Sequence, residues 1–97
     1  MSESFDLSAI DLAIHGVSQV KGVSALHALQ HQDGSLLIVA RVGLSPSLRL
    51  PEVVLVIGEV EYAVRKADER VSAVFVEPDI AADSATPTET IVIRALD

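Results

Sequence analysis

The chain has 97 residues, 49% of them apolar and 3% aromatic, with no cysteine and a formal charge of −7. That length makes a single small domain over residues 1–97, with a core built from Val, Ile, Leu and Ala. The missing cysteines exclude disulfides and thiolate metal sites and fit a reducing, cytoplasmic setting. The basic residues are scattered, with only Arg65 and Lys66 adjacent. There is thus no basic stripe for nucleic acid and no polybasic patch for an anionic membrane. No run reaches the ~18 apolar residues of a membrane span, and no basic-then-apolar leader opens the sequence. These features describe a soluble acidic domain.

In chain order, residues 1–7 are a polar lead-in. Ser8 and Asp11 have capping-box spacing, which predicts a helix from about Ser8. Leu7, Ile10, Ile14 and Val17 form its apolar stripe. Gly16 marks its end, and His15 beside it suits the negative end of the helix dipole. The chain is organised around the next stretch, Gly22 to Leu44. Asp33-Gly34 predicts a two-residue hairpin turn between two strands. Before the turn, Val23, Ala25, His27, Leu29 and His31 share one face, while Ser24, Leu26 and Ala28 share the other. After it, Leu36 to Val42 is nearly all apolar, as in a central strand buried on both faces.

Pro46 breaks the ladder. Leu50 to Ala67 is ambiguous, because Val53–Ile57 is β-branched; Pro51 and Glu52 suit a helix start and decide for helix. Its predicted stripe is Leu50, Val53, Val54, Ile57, Val60, Val64 and Ala67, with Leu55, Val56 and Tyr62 off it. Val71 to Glu77 reads as a third strand ended by Pro78. Residues 79–97 form a loop, and Thr90–Leu96 admits a fourth, edge strand.

Two helices on one face of a small sheet give an α+β two-layer sandwich with an αββαβ core over residues 8–78. Strand 3 is expected beside strand 1 after a crossover through helix 2. Leu26, Ala28, Val74 and Val76 then face the helices, and His27, His31, Phe75 and Glu77 face the open side. Leu29 and Phe75 are the candidate dimer or partner surface there, unless the 79–97 tail covers them. His27 and His31 stand ~13 Å apart along a strand, too far to share an ion unaided. Glu77 and Asp79 set two carboxylates at a strand end, a candidate oxygen site for a hard cation. No nucleophile elbow, phosphate loop or H-E-x-x-H motif supports an enzyme.

Three stretches resemble the cytoplasmic C-terminal domain of cation diffusion facilitator transporters, which export zinc and related divalent metals. These are Gly22–Gly34, with Gly22, Val23 and His27 in place; Leu44–Glu52, followed by Val60-Glu61; and Val74–Asp79, with Val76-Glu77-Pro78. The resemblance implies a ferredoxin-like, metallochaperone-like fold and a non-catalytic homodimer below a membrane domain. It also implies regulation by Zn2+ or another divalent cation. His27 and Glu77 occupy positions of family ligands, and Glu77 would meet His27 across neighbouring strands or across a dimer. Phe75 and Val54 stand where the family often has histidines. A free-standing metal-carrying or protein-docking module of the same fold is the alternative expectation.

Overall fold

The computed structural model describes residues 7–81 and 89–94. In chain order it forms α1 (Ser8–His15), β1 (Gly22–Gln30), β2 (Leu36–Leu44), α2 (Leu50–Ala67), β3 (Val71–Ile80) and β4 (Glu89–Arg94). The four strands make one sheet in the order β3-β2-β1-β4. This is the αββαβ sandwich with the additional strand on its edge, an α+β ferredoxin-like fold. β1 and β2 are antiparallel; β3 runs parallel to β2, and β4 parallel to β1.

β2 alternates strictly. Leu36, Ile38, Ala40, Val42 and Leu44 are buried under the helices, and the intervening residues are half-buried or exposed. The expected burial of β2 on both faces is therefore not met: its second face looks out from the sheet. From α1 and its N-cap, Leu7, Ile10 and Ile14 enter the core, joined by Val56, Val60 and Val64 of α2.

Several local expectations need correction. The hairpin loop is not the two-residue turn. Gly34 N–H donates to the His31 carbonyl at 2.9 Å, and His31 N–H to that of Ser35 at 2.9 Å. This leaves three loop residues, with Gly34 at φ +90° supplying the left-handed position. Asp33 Oδ1 accepts from the Ser35 amide at 2.8 Å and its hydroxyl at 2.7 Å, which holds the Asp33 carboxyl below its ordinary range. In β1 a bulge between Val23 and Ala25 shifts the alternation, so Val23 packs in the core with Leu26 and Ala28. α1 lacks the capping box: Leu7 is its N-cap, with no side-chain cap. At its other end His15 Nδ1 bonds the Asp11 carbonyl at 2.9 Å, in the last turn as expected.

The helix choice for Leu50–Ala67 holds, and Glu52 Oε1 accepts from the Arg49 amide at 2.7 Å. Its phase differs from the expectation. Val56 is buried with Val60 and Val64, while Leu50 and Val54 are exposed. The strand order differs too. β3 lies beside β2, not β1, whose outer edge is taken by β4. Pro78 does not end β3, which continues to Ile80 opposite Leu44. On an edge strand a proline's missing N–H faces away from the ladder and costs it nothing.

Asp68 closes the turn from α2 into β3. Its carboxylate accepts from the Arg70 amide at 3.0 Å and pairs with the Arg70 guanidinium at 2.6 Å. The guanidinium holds the Asp68 carboxyl below its usual value of 3.8. Because the folded pKa is the lower one, this contribution is present above that value and fades as pH falls through and below it. Asp68→Asn should lower stability at pH 7 by about 1 kcal/mol. The gap to the parent should narrow below pH 4, as read by urea denaturation across pH.

Candidate metal and dimer face

The open face is set by the sheet register. His27 of β1 lies opposite Val39 of β2, and Val39 opposite Phe75 of β3. On the other side of His27 the β4 backbone places Ile91 at the same level. One row thus runs across all four strands. The row two residues along holds Ala25, Arg41 and Glu77. Leu29 and Leu37 pair in the row toward the hairpin loop.

Phe75 is 61% exposed in the middle of β3. Leu29, Leu37, Val39 and His27 are half-buried around it. An apolar patch on the face away from the helices therefore stands open. Among the described residues, the tail does not cover it: β4 extends the sheet sideways instead. Ile91 and Ile93 lie in β4; Leu96 lies outside the described residues.

The structure separates the expected ligands. His27 and Glu77 are not on neighbouring strands, because β2 lies between them. Two strand spacings across and two residues along put their backbone positions roughly 12 Å apart. Glu77 is also engaged: Oε1 accepts from Arg41 Nε and Nη2, each at 3.2 Å. Arg41 was not singled out in the sequence, although its place one row from His27 follows from the hairpin pairing. Asp79 sits further along β3, opposite Gly43, with its Oδ1 accepting from the Ile80 amide at 2.8 Å. His31 is exposed at the hairpin loop.

A structural zinc site closes with four ligands. Among the described residues, no three His, Asp or Glu side chains gather to hold an ion. One copy therefore supplies separate donors rather than a finished site: an imidazole on β1 and carboxylates near the end of β3.

No protein-family model matches the sequence, and a search of curated proteins finds no match. Solved structures do match. The MamM C-terminal domain in its copper form superposes with a TM-score of 0.80 at 19% identity, covering 93% of this chain and 86% of that one. A variant in its manganese form gives 0.77 at 20% identity, covering 87% and 90%. Another, in its zinc form, gives 0.74 at 20% identity, covering 84% and 89%. This chain has the fold of the MamM C-terminal domain. The match spans nearly all of each MamM domain, so it includes the sheet and both helices rather than a shared motif.

The Arg41–Glu77 pair has both partners about half exposed to water. Arg41→Ala should therefore change stability by less than about 1 kcal/mol. The difference should vanish in 1 M salt, where the screening length is ~3 Å, as measured by urea denaturation with and without added salt.

Proposed function

We propose that this chain is a non-catalytic regulatory and dimerisation domain of a divalent-cation transporter of the cation diffusion facilitator family, acting on the cytoplasmic side of the membrane. The observation that carries the reading is the match of the whole sandwich to the MamM C-terminal domain, itself a cytoplasmic domain of such a transporter. The motifs around His27 and Glu77 support the same reading. Among the described residues no helix is long and apolar enough to cross a membrane.

The open sheet face is the surface by which two copies pair. It has an exposed aromatic anchor, Phe75, amid half-buried aliphatics and one charged pair at its side, the composition of an interface centre with a polar rim. Pairing doubles the donor set. Two His27 imidazoles and two sets of Glu77 and Asp79 carboxylates then belong to one assembly. Imidazole with carboxylate suits zinc, and MamM domains have manganese, copper and zinc forms. A cation held more tightly by the closed pair than by the open one shifts the population toward closure, by no more than its difference in affinity for the two.

Two measurements test this. Zinc, manganese or copper at a hundred times its dissociation constant should stabilise the fold by about 2.7 kcal/mol, and the accompanying rise in Tm should mostly disappear in His27→Ala. An unchanged melting curve with all three metals in excess eliminates cation binding and leaves the dimer standing. Separately, Phe75→Glu should convert a sheet-paired species to a smaller one in sedimentation velocity while leaving circular dichroism unchanged. Retention of the parent mass eliminates the sheet-face dimer.

A further inference from the structure

β4 is held differently from the other strands. Its Val92 lies opposite Ala28 of β1, in the row that continues through Ile38 and Val74 on the helix side of the sheet. Ala28, Ile38 and Val74 are 1%, 0% and 7% exposed, whereas Val92 is 38% exposed. The helical layer therefore stops short of β4. A strand parallel to its neighbour is normally covered on both faces. What joins β4 to the sheet, among the described residues, is the backbone ladder to β1, from Ala25 opposite Glu89 to Gln30 opposite Arg94.

β1 depends on that ladder. Without it, the backbone groups on the side away from β2 would form an open sheet edge. Open edges are ordinarily blunted by lysine, proline, an inward charge or a bulge. β1 contains no proline and no Lys, Arg, Asp or Glu. It has one bulge, between Val23 and Ala25. A bulge bends its own stretch of strand and disrupts pairing there. The β4 ladder begins at Ala25, where the bulge ends, and runs to Gln30, the last residue of β1. Bulge and ladder together thus account for the length of the edge. The connection leaves slack. Residues 81–88 separate Ile80 from Glu89. Eight residues reach about 27 Å when extended, against about 14 Å for the three strand spacings from β3 to β4.

We propose that the outer edge of β1, Ala25–Gln30, is a strand-acceptor site, closed by the chain's own β4 and open, when β4 lifts off, to the β4 of a second copy. The occupant follows from the structure, which shows this edge accepting that segment in parallel and in a fixed register. Its centre, Thr90–Ile93, is uncharged and rich in β-branched residues, as strand addition requires. An exchanged β4 reproduces every ladder bond of the resident one, which is why exchange of an identical element is a low-cost route to a dimer. The site lies on the edge of the sheet rather than on its open face, so it does not rest on the transporter reading or on the sheet-face dimer.

Hydrogen exchange on the full chain reads the release of β4 without any variant. The β4 amides and the outward amides of Ala25–Gln30 should exchange together, at least about tenfold faster than the amides of β2. Equal protection in all three strands makes β4 part of one cooperative unit and overturns the proposal. Acceptance is read on the Ile91→Pro/Val92→Pro chain. Successive N–H groups of a strand point to opposite edges, so one of the two prolines removes a ladder bond. A labelled peptide of residues 87–97 should bind that chain and restore protection to Ala25–Gln30, and should bind the parent, whose own β4 competes, at least about tenfold more weakly. A folded double-proline chain that ignores the peptide overturns the proposal. Exchange between copies is read on the Phe75→Glu chain, whose sheet face is blocked. Held at high concentration, it should form a dimer in sedimentation velocity that excess peptide dissolves. A Phe75→Glu chain that stays monomeric at every concentration, or a dimer indifferent to the peptide, overturns the proposal even where the double-proline chain does not fold.

Discussion

The fold depends on β2. It is paired on both edges, with β1 on one side and β3 on the other, and its helix-side residues Leu36, Ile38, Ala40, Val42 and Leu44 form the middle of the one core, which α1 closes over β1 and α2 over β3. Gly43 fits the same constraint. A Cβ there would stand 3.2 Å from the Ala81 backbone, whose N–H donates a hydrogen bond to the Leu44 carbonyl at the end of β2. Alternation along nine residues commits one side of the strand to the core and leaves the other, Leu37 and Val39, facing out. The open face follows from the same pleat that builds the core.

Element identity was legible in the sequence because local chemistry decides it. Pro51 and Glu52 start α2 at Leu50 despite the β-branched run, and the Leu7–Ile10–Ile14 stripe places α1. The faces of the strands were legible for the same reason, with Leu26 and Val74 inward and Phe75 outward. Strand order was not. Alternation fixes which side of a strand is buried but says nothing about its neighbour, and a crossover helix can return β3 to either open edge. The phase of α2 was ambiguous for a related reason. From Leu50 to Ile57 the helix is apolar nearly all round, so periodicity offers no single stripe; the packing of Val56, Val60 and Val64 against the sheet selects one.

These two errors bear directly on the candidate site. Putting β3 beside β1 would have set His27 and Glu77 on adjacent strands. The observed order interposes β2, and with it Arg41, which takes Glu77 for itself. The ligand residues named from the sequence are on the expected face, but they are dispersed over it. A charge that interrupts the apolar alternation of β2 was the available signal for Arg41. An arginine there marks the face of the strand that stays in water, where Arg41 is exposed.

For the cation site proposed above, that pair also sets the terms of entry. Glu77 can ligate only by giving up, in whole or part, two hydrogen bonds from one guanidinium. Both partners are well exposed, so their mutual attraction is weak, on the order of 1 kcal/mol or less. A divalent ion in an imidazole and carboxylate site can displace an attraction of that size, whereas a monovalent ion held by water-screened charge gains too little to do so. The guanidinium would then be released at the rim of the sheet face, where a second copy brings its own carboxylates. In the proposed cation-bound pair, Arg41 neutralises Glu77 while no cation is bound and is freed for a carboxylate of the second copy once one is. The open and closed assemblies would then differ by an exchange of partners for Glu77 rather than by any rearrangement of the sheet, whose register is pinned by β2.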